Sequence, residues 1–181
     1  MQTLVVFVLM AAMSFVTFAQ TETEAKVISF KKLQEYLPTA APDGFTRSKP
    51  TGTTANAMGY AVSEATVNFV KPEQDTIPEI TLTAKIIDMS TMQYAALASV
   101  ALVDFEQETE TGYEKTVKIK SWRGIERVNH DAKSCELTLF SANRFVITLE
   151  SSNTDELKPL YKLLDGIDIV KLEKLAAENS Q

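Results

Sequence analysis

The sequence predicts an α+β fold: a mainly antiparallel sheet of five to seven strands covered by helices, in the chain order α-β-β-α-β-β-β-(β)-α. Three observations lead there. Ile80, Leu82, Ala84 and Ile86 recur at every second position, as do Cys135, Leu137 and Leu139 and then Phe145, Ile147 and Leu149, which is the period of strands with one face buried. Met92, Ala95, Ala96, Ser99, Val100 and Val103 recur instead at three- and four-residue steps, the period of a helix. Short turn signals join the strand segments, with one internal crossover helix, so sequential strands run antiparallel.

The first helix is predicted over Phe30, Leu33 and Leu37, with Ser29 as N-cap and Pro38 as its end. Pro42-Asp43-Gly44 reads as a turn, and the Ser/Thr/Lys/Pro/Gly stretch to Asn56 reads as a loop because it has no hydrophobic period. Strands begin near Ala57. Tyr60 and Val62 lie on one phase and Ala65, Val67 and Phe69 on the other, which predicts a bulge or tight turn near Ser63-Glu64. After the Ile80–Ile86 strand, Asp88 or Ser90 caps the long apolar helix, which ends near Asp104-Phe105. The acidic tract Glu106 to Gly112 reads as a loop. A meander follows: Tyr113 to Ile119, a kink at Trp122-Arg123-Gly124, a short strand Ile125 to Asn129, then the strands around Leu137 and Ile147. In the C-terminal helix, Asn153 and Glu156 have capping-box spacing, Leu157, Leu160, Tyr161 and Leu164 form the buried stripe, and Pro159 must lie close to the first turn. Gly166 ends it, and Ile167, Ile169, Leu172 and Leu175 continue the apolar face.

Residues 1–19 read as a cleavable signal peptide. Leu4 to Met13 is continuously apolar, and Thr17-Phe18-Ala19 places small residues at both positions a signal peptidase reads. The run falls short of the roughly 20 apolar residues of a membrane span, so no stable span is expected after cleavage. Residues 20–28 then form a flexible segment, 29–176 a single α+β domain, and 177–181 a frayed end. The expected location is periplasmic or extracellular. A single cysteine excludes an internal disulfide and leaves pairing between chains open. The net charge of −6 argues against nucleic acid, whose phosphates it would repel.

In element order the chain resembles the PsbP-like family of small α/β/α sandwich proteins. The resemblance rests on Gly112-Tyr113 opening a strand, Asn143-Arg144-Phe145-Val146-Ile147 as the last strand, and Leu164-Asp165-Gly166-Ile167-Asp168 closing a helix. It spans the chain from Tyr60 onward. It implies a non-enzymatic binding or assembly module, and transfers no functional residue.

Candidate chemistry is sparse. His130, beside Asp131 and near Glu126, is the only histidine, and with one cysteine it cannot complete a zinc site; it reads as a turn histidine. Cys135 shares a strand face with Leu137 and Leu139 and reads as a buried thiol. Glu106, Glu108, Glu110 and Glu114 lack the spacing of a calcium loop and read as solvated. No nucleophile elbow or phosphate-binding glycine loop is present, so no cofactor and no metal is expected. Lys118, Lys120 and Arg123 with Trp122 among them form the one candidate binding patch, set against the plainer role of lysines guarding a sheet edge. The expected function is an exported non-catalytic binding or assembly protein of the cell envelope, with an unknown protein partner or small ligand. The alternatives are a carrier holding a small apolar ligand between the Met92–Val103 helix and the sheet, and a hydrolase with an unrecognised carboxylate site.

Overall fold

The computed structural model describes residues 27–57, 60–76, 78–89, 94–95, 98–99 and 103–179. The signal-peptide segment, Ser90 and most of the predicted 92–103 helix lie outside the described residues. Among the described residues nine strands form one antiparallel sheet: β1 (Thr46–Arg47), β2 (Thr51–Ala57), β3 (Tyr60–Lys71), β4 (Ile80–Met89), β5 (Glu106–Thr109), β6 (Gly112–Ile119), β7 (Trp122–Asn129), β8 (Ser134–Ser141) and β9 (Phe145–Ser152). Their spatial order is β1-β3-β4-β9-β8-β7-β6-β5, with β2 beside β1 on the outer side of β3. The sheet therefore has two locally wired parts, β1–β4 and the five-stranded meander β5–β9. A single ladder, β4 against β9, joins them, with Ile86 opposite Ile147.

One face of the sheet is apolar because every second residue on its central strands is. Phe69, Leu82, Ile86, Leu139, Ile147 and Leu149 are fully buried there. Three short helices cover this inner face: α1 (Phe30–Leu33, continued by a 3-10 turn to Tyr36), α2 (Lys158–Asp165) and α3 (Ile169–Glu178). They contribute Leu33, Leu160, Leu163 and Leu172 to the same core. The outer face is polar over most of its width. There Arg127 bridges Glu114 and Glu136 across three strands, and Thr83 donates to Asn68. A small apolar group occupies one end of that face, where Tyr94 and Ala98 pack on Met89, Val146 and Phe140.

The fold differs from the sequence expectation in strand number and in helix arrangement. Nine strands replace five to seven, because both edges of the sheet were read as loops. All six residues 51–56 of β2 and all four of β5 are exposed, so no buried face imposes a hydrophobic period on them. Pro50, which has no N–H to donate, sits where the edge breaks between β1 and β2. Strand β3 runs unbroken through Ser63-Glu64. Its two apolar phases arise because Ala61, Ala65, Val67 and Phe69 face the inner core while Val62 packs in the outer-face group. Strand β7 is likewise unbroken at Gly124. A Cβ there would lie 2.1 Å from the Thr138 carbonyl oxygen and 2.6 Å from the Leu139 side chain, so glycine serves a close strand approach and not a kink.

The helix ends also differ. Asp88 is not a cap but a buried residue of β4. The Asn153/Glu156 capping box does not form: Asn153 is left-handed (φ 64°), its amide donates to the Glu79 carbonyl, and α2 starts at Lys158 with Pro159 in its first turn. The apolar face after Gly166 is a separate helix, α3, capped by the Asp168 carboxylate on the Lys171 N–H.

A cleft at the turn end of the sheet

Two carboxylates are buried on the inner face: Asp88, expected from the sequence as a helix cap, and Glu126, expected near His130. Asp88 is inaccessible to solvent. Arg144, the last turn residue before β9, forks onto it at 2.7 and 2.8 Å, and the Ile28 N–H donates to it at 2.6 Å. This pair sits at the end of the β4–β9 ladder and fastens the N-terminal segment to it. Glu126 is buried in β7 and accepts from the hydroxyls of Tyr113 (2.8 Å) and Tyr161, with the Lys115 ammonium at 3.3 Å. Burial and the bond to Glu126 push the Tyr113 phenol up to about 12, and raise Tyr161 as well. Donors of the protein itself hold both carboxylates, so these clusters tie the N-terminal segment and the helices to the sheet.

The situation differs where the β6–β7 and β8–β9 hairpins turn. Lys120, Ala142 and Asn143 are left-handed (φ 57°, 52° and 53°), which makes both turns tight and brings them side by side. A cleft of about 490 Å³ opens there, bounded by Tyr94, Ala95, Ala98 and Ser99 on one side and by Glu173 of α3 on the other. Its aromatic lining is Tyr94, Trp122 and Phe140, with Tyr94 edge-on to Phe140 at 6.1 Å between centroids. Its polar lining includes Ser121, Ser141, Asn143 and Glu173. The Trp122 indole donates to Glu173 Oε1 at 2.8 Å. Ser141 is 3% exposed, and its hydroxyl has no hydrogen-bond partner. Among the described residues lining this cleft there is no histidine or cysteine, and Glu173 is the one carboxylate.

The four residues of the predicted patch do not share one surface. Lys118 and Arg123 are cross-strand partners on the outer face, and Arg123 is ion-paired with Asp104. Lys120 occupies the turn. Trp122 points to the opposite face and is 2% exposed, beneath α3. Trp122 and Arg123 nevertheless both line the cleft, and Lys120 lines an adjoining one of about 430 Å³.

The other candidates are dispersed. His130 is exposed at the β7–β8 turn, and its Nδ1 lies 2.7 Å from Asp155, away from Asp131 and Glu126. That contact, chiefly, holds the Asp155 carboxyl below its ordinary range. Cys135 is buried with Sγ 3.0 Å from the Ser151 hydroxyl, and burial pushes its thiol up, which disfavours the reactive thiolate. Glu106 and Glu108 lie on the exposed edge strand β5, while Glu114 pairs with Arg127. Among the described residues no three His, Cys, Asp or Glu side chains gather as a metal site. No helix among them is long and apolar enough to cross a membrane. Compared with known proteins, the chain matches no family model, no curated protein and no solved structure.

Proposed function

We propose that this is an exported, non-catalytic binding protein whose small ligand occupies the cleft at the turn end of the sheet. One observation carries the reading: the Ser141 hydroxyl is buried in the wall of a cleft and has no partner. Leaving such a group unsatisfied costs about 1–3 kcal/mol, and a ligand that draws this side chain, closed to solvent in the free protein, toward the cleft and bonds to it recovers that cost. The cleft volume of about 490 Å³ falls in the range of small-molecule sites. Its mixture of aromatic walls and a few polar groups is also typical of them. The carrier alternative placed its ligand between the Met92–Val103 helix and the sheet; this reading places it instead at the turn end, because Tyr94 already packs on Phe140. A binding role is also what the PsbP-like resemblance implies.

Native mass spectrometry of the mature chain, purified from its own exported fraction, tests this. Extra mass that leaves on denaturation, and that the Ser141→Ala protein fails to carry, supports the reading. A wild-type chain that travels at its bare mass in every preparation overturns it.

A further inference from the structure

We infer that the cleft takes a small organic ammonium ion, with Glu173 as its counter-charge, Ser141 as a hydrogen-bond partner and the Tyr94, Phe140 and Trp122 rings around its apolar part. The inference rests on the binding-protein reading above and adds the class of ligand.

The charge balance at the cleft leads to it. Arg123, the cation on the lining, is already ion-paired with Asp104. Glu173 forms no ion pair among the described residues, and the Trp122 indole uses only its Oε1. The second carboxylate oxygen is therefore left to accept from a donor in the cleft. The adjoining cleft shares Ser121 and Glu173 with the first, and there Asp165, Asp168 and Glu173 face a single lysine, Lys120. Asp168 is partly offset by Lys171 at 3.0 Å, yet the acids still outnumber the bases around this turn. An anion would meet net repulsion. A neutral apolar molecule would leave the Glu173 oxygen and the Ser141 hydroxyl unbonded. An ammonium group can donate to the Glu173 oxygen and, once the Ser141 side chain turns toward the cleft, to its hydroxyl as well; aromatic faces attract cations as well as apolar groups. Indole, phenol and phenyl rings together supply that lining.

Trp122 is the only tryptophan of the chain, so its fluorescence reports directly on the cleft. The mature protein is titrated at pH 7 with three matched probes: phenethylammonium, 2-phenylethanol and 3-phenylpropionate. The expected result is a saturable change with phenethylammonium, with the other two binding about ten-fold more weakly or worse. Glu173→Gln keeps an acceptor for the indole and should erase the preference by weakening phenethylammonium about ten-fold. Should that variant fail to fold, salt dependence in the wild type serves instead, because only the ammonium probe should weaken as ionic strength rises. Equal or tighter binding of the alcohol or the carboxylate overturns the ammonium assignment, as does a lack of response to phenethylammonium. In either case the mass-spectrometric experiment still decides separately whether the cleft carries a ligand.

Discussion

Asp88 and Ser141 face the same side of one sheet and are both buried, but the protein treats them in opposite ways. Asp88 receives a guanidinium fork and a backbone N–H. Ser141 receives nothing. Glu126, farther along the sheet, resembles Asp88: two phenols and an ammonium surround it. Burial alone therefore does not mark a functional group. A buried polar atom whose partners are all supplied by the fold is part of the scaffold. One whose partner is missing, on the wall of a cleft, points to something outside the chain.

Substitutions can break that contrast at either end. The largest effect is expected at the ion pair. Arg144→Ala leaves the Asp88 carboxylate buried without its charge partner and should cost about 3–5 kcal/mol. Urea unfolding measures this, and the double variant with Asp88→Asn should recover part of the loss. A loss under about 1 kcal/mol would mean that Asp88 is not truly shut off from water.

At Glu126 the phenols are neutral donors beside the Lys115 ammonium, so removing one has a smaller effect, and that effect depends on pH. Tyr161→Phe should cost about 2 kcal/mol, the value of one hydrogen bond to a charged group. The Tyr113 phenol loses its proton near 10 in the unfolded chain and only at about 12 in the folded one. Between those values the unfolded chain releases protons that the folded chain keeps. The stability that this phenol contributes should then be level up to about pH 10 and fall as pH rises toward about 12. Unfolding midpoints across that window test the sign, and Tyr113→Phe should flatten the slope.

The smallest effect is expected at Ser141, with the opposite sign. Ser141→Ala removes a hydroxyl that has no partner in the free protein, so the ligand-free chain should gain up to about 1 kcal/mol. The same change should weaken ligand binding. A clear loss of stability in the ligand-free variant would show that the fold itself satisfies this hydroxyl.

The parts of the molecule that could be read in advance are those where burial acts on one face. Leu82, Ile86, Leu137 and Leu139 announce their strands because each sits over the helix-covered core. Residues 51–56 of β2 and all of β5 are exposed, so their pairing leaves no trace in residue type. The site was half legible. Trp122 and Arg123 drew attention as an aromatic between cations, and both line the cleft, but on different faces of the strand. Ser141 was invisible, since a missing partner is a fact of the tertiary structure. Glu173 was hidden among the polar positions of a helix that had been read only as a continuing apolar stripe.

The order of the strands has a consequence for how the chain must fold. Hairpins can close β3 on β4, and β5 through β9 on one another, as soon as each turn forms. The two parts meet only when β9 finds β4, and Arg144 reaches Asp88 across 56 positions of chain. Closing so long a loop costs entropy before any contact compensates for it. The last strand is therefore the one that completes the sheet, and until it docks the apolar edge of β4 stays uncovered.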